Sequence, residues 1–315
     1  VRGALKIVYL GNSRFPWTTE THLARTLEQM GHRVQFLQED HYTIGQIHRA
    51  ARGSDLVIYQ RTWGKGAGLT DVWRDLESRG TVTASYHLDL YVGLEREATL
   101  VGDPFWSTQY VFTPDGDPAS QPVFDRLGIN HHWLPPAIVA DEIGPGKIEE
   151  RFAHDVIFVG SYHYHREWPY RAQLIDWLTE TYGDRFRRYG SGAEVIRGAQ
   201  LNSLVTSAKV VVGDSLCPGF TKPYYTSDRP FETIGRGGFL IMPWIRGLDE
   251  MFADRRHLVF YTYGDFDELR AQIDYYLDTP HERDRIREAG RAHVAEHHTY
   301  THRLTEALKI MGFDQ

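Results

Sequence analysis

The segment Tyr224–Pro243 (YYTSDRPFETIGRGGFLIMP) brings a cation, a carboxylate, a proline and several glycines close together. Pro230 suits the first turn of a helix, and Glu232 falls in that same turn beside Arg229. The free N–H groups of such a turn, together with Arg229, suit a diphosphate. Glu232 offers two acceptor oxygens, the right complement for the two O–H donors of a ribose diol. Gly235, Gly237 and Gly238 then end the helix and let the next strand approach closely. The plain alternative is a short packing helix with a dipole-favoured glutamate.

Such residues need a scaffold, and the surrounding pattern supplies one. Leu5–Leu10 reads as a short buried strand broken by Gly11, Asn12 and Ser13. Thr18 or Thr19 caps a helix with Leu23, Leu27 and Met30 at helical spacing, and Gly31 stops it. Strands at Val34–Leu37, Asp55–Tyr59 and Val82–Tyr86 alternate with helices at Ile44–Ala51 and Leu69–Ser78. A Pro/Gly-rich stretch from Pro135 to Gly146 reads as a linker, and beyond it the alternation restarts. Strands are expected at Asp155–Val159, Phe186–Tyr189, Lys209–Val212, Phe239–Met242 and His257–Tyr261, with helices at Tyr170–Thr181, near Leu201 and at Arg229–Arg236. Three more helical stretches fill Phe266–Met311. The fold class is therefore α/β, two Rossmann-like doubly wound domains facing across a cleft. The expected domains are 1–145 and 146–298. Ligands in such sheets sit beyond the carboxyl ends of the strands.

With those elements in place, Arg229–Leu240 resembles the R-x-F-E-x-x-x-x-G-G-F-L signature of group 1 glycosyltransferases, especially their spore-maturation (CgeB-like) branch. Asp155–Ser161 (DVIFVGS) is similar to that branch's strand and glycine turn. Gly247–Phe252, Phe260-Tyr261, Ile273–Leu277 and His297–Arg303 are similar to its C-terminal portion. The resemblance implies a GT-B fold, with a nucleotide-diphosphate sugar (a UDP-sugar among them) as donor, held by the second domain, and the acceptor held by the first. It further implies that the final helix, 299–315, packs back on the first domain.

Residue by residue, the resemblance implies that Glu232 holds the donor ribose and that Arg229 stands near the phosphates. Gly160 and Ser161 would turn against the donor, and Tyr189 and Gly190 would lie near the nucleobase. Many relatives carry a second glutamate eight positions before the ribose glutamate; here that position is Tyr224. Arg166 and Arg171, after the Gly160 turn, are candidate cations for a metal-free diphosphate site. On the acceptor side, Tyr86-His-Leu-Asp89 ends a strand. Asp89 is the candidate base if the reaction inverts, His87 a candidate hydrogen bond to the sugar, and Glu20 a second carboxylate. His163 and His165 read equally as loop residues or sugar contacts.

Other patterns carry less. Asp115-Gly-Asp117 matches a metal-holding D-x-D but lies in a Pro-Asp-Gly-Asp-Pro turn. His293-Val-Ala-Glu-His297 matches a zinc-peptidase pattern without an obvious third ligand. Gly64, Gly66 and Gly68 lack the Lys-Ser/Thr of a P-loop, and Gly11-Asn-Ser does not continue as a dinucleotide fingerprint. No metal and no cofactor beyond the donor is expected. A two-lobed sugar- or nucleotide-binding protein and a nucleotide-sugar oxidoreductase remain the alternatives.

Composition agrees with an ordered globular chain. The 315 residues are 41% hydrophobic and 24% charged, which excludes disorder and suffices for two moderate cores. The single cysteine, Cys217, excludes a disulfide framework and suits a reducing cytoplasm. No apolar run reaches the roughly 18 residues of a membrane span, and Val1, Arg2, Gly3 and Ala4 show no secretory core. The net charge of −7 is spread over both halves without a basic stripe, so no general nucleic-acid surface is expected. The 13% of aromatic residues suggests stacking on first-domain loops, through Trp17, Trp63, Tyr86 and Tyr91.

Overall fold

The computed structural model describes residues 3–62, 66, 68–215 and 222–313. Trp63, Gly64 and Cys217 lie outside the described residues. The chain forms two compact units, residues 1–135 with 300–315, and residues 136–299.

The first unit alternates strands and helices except between β4 and β5, which two short 3-10 helices (Glu95–Leu100 and Pro104–Trp106) connect: β1 (Lys6–Gly11), α1 (Thr19–Gln29), β2 (Arg33–Gln38), α2 (Ile44–Ala50), β3 (Leu56–Tyr59), α3 (Leu69–Ser78), β4 (Val82–Tyr86), β5 (Tyr110–Thr113), α4 (Gln121–Arg126) and β6 (His131–Trp133). Every pairing is parallel, in the order β2-β1-β3-β4-β5-β6. The inner strand β3 is buried along its whole length, as a strand covered on both faces must be, while the edge strand β2 is exposed or half-buried at every position. Helix α3 shows the complementary logic: Leu69, Val72, Trp73 and Leu76 recur on one face and pack into the core with Tyr59 and Phe105. Thr18 caps α1 by accepting from the Thr21 N–H. Strands β5 and β6 lie beyond the sequence reading, which ends its first sheet at Tyr86.

The second unit holds β7 (Val156–Val159), α5 (Tyr170–Tyr182), β8 (Phe186–Tyr189), α6 (Ala199–Ser207), β9 (Val210–Val212), α7 (Arg229–Gly235), β10 (Leu240–Pro243), α8 (Leu248–Met251), β11 (Val259–Tyr261), α9 (Phe266–Asp278) and α10 (Pro280–His297). Its sheet is also all parallel, ordered β11-β10-β9-β7-β8. A last helix, α11 (Tyr300–Ile310), belongs to the first unit, where Leu304, Leu308 and Met311 line one apolar pocket with Leu23 and Leu27 of α1. Its Arg303 donates from Nε to the Pro135 carbonyl at 3.0 Å.

The units change at Pro135–Pro136, ahead of the Pro145 boundary read from the sequence. The Pro/Gly-rich stretch is not a slack tether, because the second unit binds it. Gly144 donates to the Gly235 carbonyl at 3.0 Å, and Gly146 to Thr206 Oγ1 at 2.9 Å. Asn202 Nδ2 donates to the carbonyls of Glu142 and Gly144, and Arg236 pairs with the Glu142 carboxylate. No described helix is long and apolar enough to cross a membrane.

Candidate active site

In each sheet the chain leaves one strand for its neighbour and later returns to that strand's other side. The crevice at such a switch point, outside the carboxyl ends, is where open α/β sheets hold ligands. In the second unit the switch lies between β7 and β9, both paired with each other and continued in opposite directions by β8 and β10.

Arg229 occupies that place. A Cβ on Gly160, just past β7, would stand 3.1 Å from Arg229 Nη2, and one on Gly213, just past β9, would stand 2.9 Å from Arg229 Cδ. Glycine at both strand ends leaves room for the side chain. Arg229 Nη1 donates to Asp214 Oδ1 at 2.9 Å, and its guanidinium lies 4.8 Å from the Phe158 ring centroid. Asp214 is fully buried and its other oxygen accepts from Arg171 Nε at 2.9 Å and Trp168 Nε1 at 3.1 Å. Burial works to raise the Asp214 pKa, but the Arg229 and Arg171 charges outweigh it and hold the carboxyl below its usual range. Burial in turn pulls the Arg229 pKa down, against the pull of Asp214.

The Gly160 turn is bolted to its neighbour. Gly160 N–H donates to the Tyr189 carbonyl at 2.7 Å. Gly190 has φ of 117°, and a Cβ there would come within 2.8 Å of the Gly160 backbone. The Arg188 guanidinium donates to the carbonyls of Gly160, Ser191 and Gly192, each at 2.9 Å. Ser161 is half-buried beside this turn. Tyr189 serves the turn through its backbone; its ring is buried on Phe152 and its hydroxyl meets His154 Nε2 at 2.9 Å.

Glu232 lies in the first turn of α7, its side chain 35% exposed. Its ion pair with Arg236 is long, 3.9 Å, because Arg236 is engaged by Glu142 and Asn202. Burial, followed by the Asp228 charge, pushes the Glu232 pKa up to about 7. Tyr224, in the position eight before it, is in the left-handed region (φ 59°) and donates its hydroxyl to Glu250 Oε1 at 2.8 Å. Its ring fills the space above Gly247, where a Cβ would come within 2.2 Å.

The expected cations divide sharply. Arg166 is exposed and forms no ion pair among the described residues, whereas Arg171 is 5% exposed and committed to Asp214. Asp214 itself was invisible to sequence reading; an aspartate just after a predicted strand was the only available signal. His163 is exposed, and His165 lies 2.8 Å from Glu167.

In the first unit the switch lies between β1 and β3. Glu20, in the first turn of α1, is 4% exposed and accepts from Thr62 Oγ1 at 2.5 Å. The Thr62 N–H donates to the Glu39 carboxylate at 3.0 and 3.1 Å, so two buried carboxyls share one threonine. Gly11 permits this, since a Cβ there would stand 3.0 Å from Glu20 Cγ. Burial raises the Glu20 pKa; Thr62 opposes the rise and Glu39 adds to it.

Asp89 and His87 lie apart in character. The Asp89 side chain is 43% exposed with Arg96 Nη1 at 3.6 Å. His87 is buried among Phe105, Trp106 and Tyr91, with no hydrogen-bond partner for Nε2 among the described residues. Burial, then the Arg61 and Arg96 charges, drives its pKa well below the usual value, so His87 is neutral. The aromatics divide too: Trp17 is exposed and stacked on Phe15, while Tyr86 is buried with its hydroxyl on the Pro135 carbonyl at 3.1 Å.

The two motif look-alikes have other occupations. Asp115 Oδ1 accepts from the Asp117 N–H and Asp117 Oδ1 from the Ala119 N–H, closing their own turn. His293 Nε2 meets the Met251 carbonyl at 2.7 Å and its ring stacks on His257.

Comparison with solved structures decides the architecture. The chain superposes on Anabaena HepE in complex with UDP and glucose with a TM-score of 0.62, at 13% identity, over 98% of this chain and 99% of the other. It superposes on an alpha-glucosyltransferase in complex with UDP with a TM-score of 0.71, at 8% identity, over 98% and 100%. The fold is GT-B. A third GT-B likeness is sucrose-phosphate synthase from Thermosynechococcus elongatus, with a TM-score of 0.62, 13% identity and coverage of 99% and 98%. The family described as glycosyl transferase-like matches residues 166–309 of this GT-B chain, from the turn before α5 into α11. None of the curated proteins matches it.

Proposed function

We propose that this GT-B protein is a glycosyltransferase that moves a sugar from a nucleoside-diphosphate sugar, a UDP-sugar first, to an acceptor hydroxyl. The observation that carries the reading is Arg229 lying across the β7–β9 switch point, with room made for it by Gly160 and Gly213. A guanidinium there suits the diphosphate and stabilises the charge that grows on it as the bond to the sugar breaks. Glu232, with only a long ion pair, accepts from the ribose hydroxyls. Gly160, Ser161 and Gly190 form the backbone wall beside them, Tyr189 contributing its carbonyl. Arg166, exposed in the same loop, supplies long-range charge. The UDP in the complexes of HepE and the alpha-glucosyltransferase favours uridine as the base. Within the class, the Arg229–Leu240 motif favours the spore-maturation (CgeB-like) branch.

For the acceptor, Glu20 ranks ahead of Asp89 as the group that takes the hydroxyl proton. It lies at the first unit's switch point and its raised pKa moves it toward the working range of a general base. His87, neutral and enclosed, would offer at most a hydrogen bond. The single cysteine favours a reducing cytoplasm as the setting.

A thermal-shift panel of nucleoside diphosphates and nucleotide sugars tests the reading. A ligand that binds only the folded state raises the midpoint by mass action, and UDP and one UDP-sugar are expected to do so. A panel without any shift rejects the reading.

A further inference from the structure

We infer that Asp214 and Arg171 are positioning residues for the donor diphosphate: Asp214 aims Arg229, and Arg171 prevents that carboxylate from cancelling Arg229's charge. This rests on the donor reading above.

Asp214 does not itself face a ligand. It is fully buried, and its two oxygens already accept from three donors: Oδ1 from Arg229, Oδ2 from Arg171 and Trp168. The Arg171 and Trp168 bonds fix the plane of the carboxylate, which leaves Oδ1 directed at Arg229. Arg171 is equally enclosed, 5% exposed, with its guanidinium 4.7 Å from the Tyr164 ring centroid and 5.8 Å from that of Phe158. It acts only through Asp214.

The charge arithmetic explains why a second arginine is there. Asp214 and Arg229 alone would form a closed neutral pair, which suffices for packing and offers little to an anion. Adding Arg171 leaves this trio with one positive charge in excess, in surroundings where charge is poorly screened. Burying an extra cation costs folding free energy, and an arriving diphosphate offsets that cost. Asp228, beside Arg229, is a further carboxylate whose charge reaches it; it is exposed at the surface, where water screens it.

The test is calorimetric titration of UDP, with uridine measured by competition, on the full chain and on Arg171→Met, Arg171→Lys and Asp214→Asn. Arg171→Met keeps the Asp214–Arg229 pair, so its fold is expected to survive even if Asp214→Asn does not fold. Expected are a tenfold or greater loss of UDP affinity in Arg171→Met, uridine affinity within twofold, and recovery of most of the loss in Arg171→Lys. Asp214→Asn, if folded, loses UDP affinity in the same selective way. An unchanged UDP-to-uridine ratio in Arg171→Met overturns the proposal, as does an equal loss of both ligands. If the unmodified chain binds neither UDP nor any other nucleoside diphosphate, it is the donor reading that fails.

Discussion

A Cβ on Gly160 would stand 3.1 Å from Nη2 of Arg229, so one strand end and one helix start share a single volume. Gly160→Ala should push the guanidinium off its seat over Phe158. The expected outcome is a loss of UDP affinity of about tenfold with a modest stability cost of about 1 kcal/mol, read by calorimetry and by melting. An alanine variant that binds UDP normally would separate Arg229 from the diphosphate.

Glu232 carries a pKa near 7 in the folded chain, above that of an ordinary glutamate. A carboxyl whose pKa is raised by folding burdens the folded state above that pKa, and the burden lifts as pH falls from about 7 toward 4.5. Glu232→Gln should therefore melt higher than the unmodified chain at pH 8. The gain is about 1 kcal/mol, discounted because a third of the side chain meets water. The same variant should bind the donor more weakly, though still measurably. A lower melting point at pH 8 contradicts the electrostatic account.

Ribose hydroxyls donate to the ionised carboxylate, so donor binding and protonation of Glu232 compete. UDP affinity should be flat above about pH 8 and weaken as pH falls through 7, approaching tenfold per unit lower down. Titrations between pH 5.5 and 8.5 read this slope. Glu232→Gln should flatten the profile, after allowance for the phosphate's own proton.

Glu20 and Asp89 make opposite forecasts. With Glu20 as the base, Glu20→Gln should lower kcat by about a hundredfold or more while leaving the KM for donor nearly unchanged. Asp89→Asn should change kcat by less than about tenfold. The reverse order of effects would move the base to the strand β4 loop.

His87 provides a control on packing. Its Nε2 is buried without a partner among the described residues, so His87→Phe removes an unsatisfied polar atom and should be neutral or stabilising. His87→Ala opens a cavity and should cost about 3 kcal/mol. Loss of turnover in a stable His87→Phe protein would show that the imidazole does chemistry.

Much of the architecture is local and was legible. Strands such as Leu56–Tyr59 and Val156–Val159 are apolar at every position because helices cover both faces, and Gly31, Gly68 and Gly80 punctuate them with positive φ. Short, partly polar strands were not legible: His131-His132-Trp133 has no period to detect, and only its ladder to Val111–Thr113 makes it a strand. The linker misled for a similar reason. Its prolines and glycines leave it only one short 3-10 helix, Ala140–Glu142, and hydrogen bonds to Thr206, Asn202 and Gly235 decide which unit owns it.

By itself, the sequence determined the two α/β alternations, the glycine turns at their strand ends and the Arg229–Glu232 motif. Each depends on neighbours along the chain. The tertiary structure decided which charges are free to act. Arg171 and Arg229 are 58 positions apart and meet on Asp214, so one is sequestered and the other is aimed. Glu20 and Glu39, from different β/α units, are both held by Thr62. Charge pairing and desolvation depend on distance in space, and a linear pattern of residue types does not contain that distance.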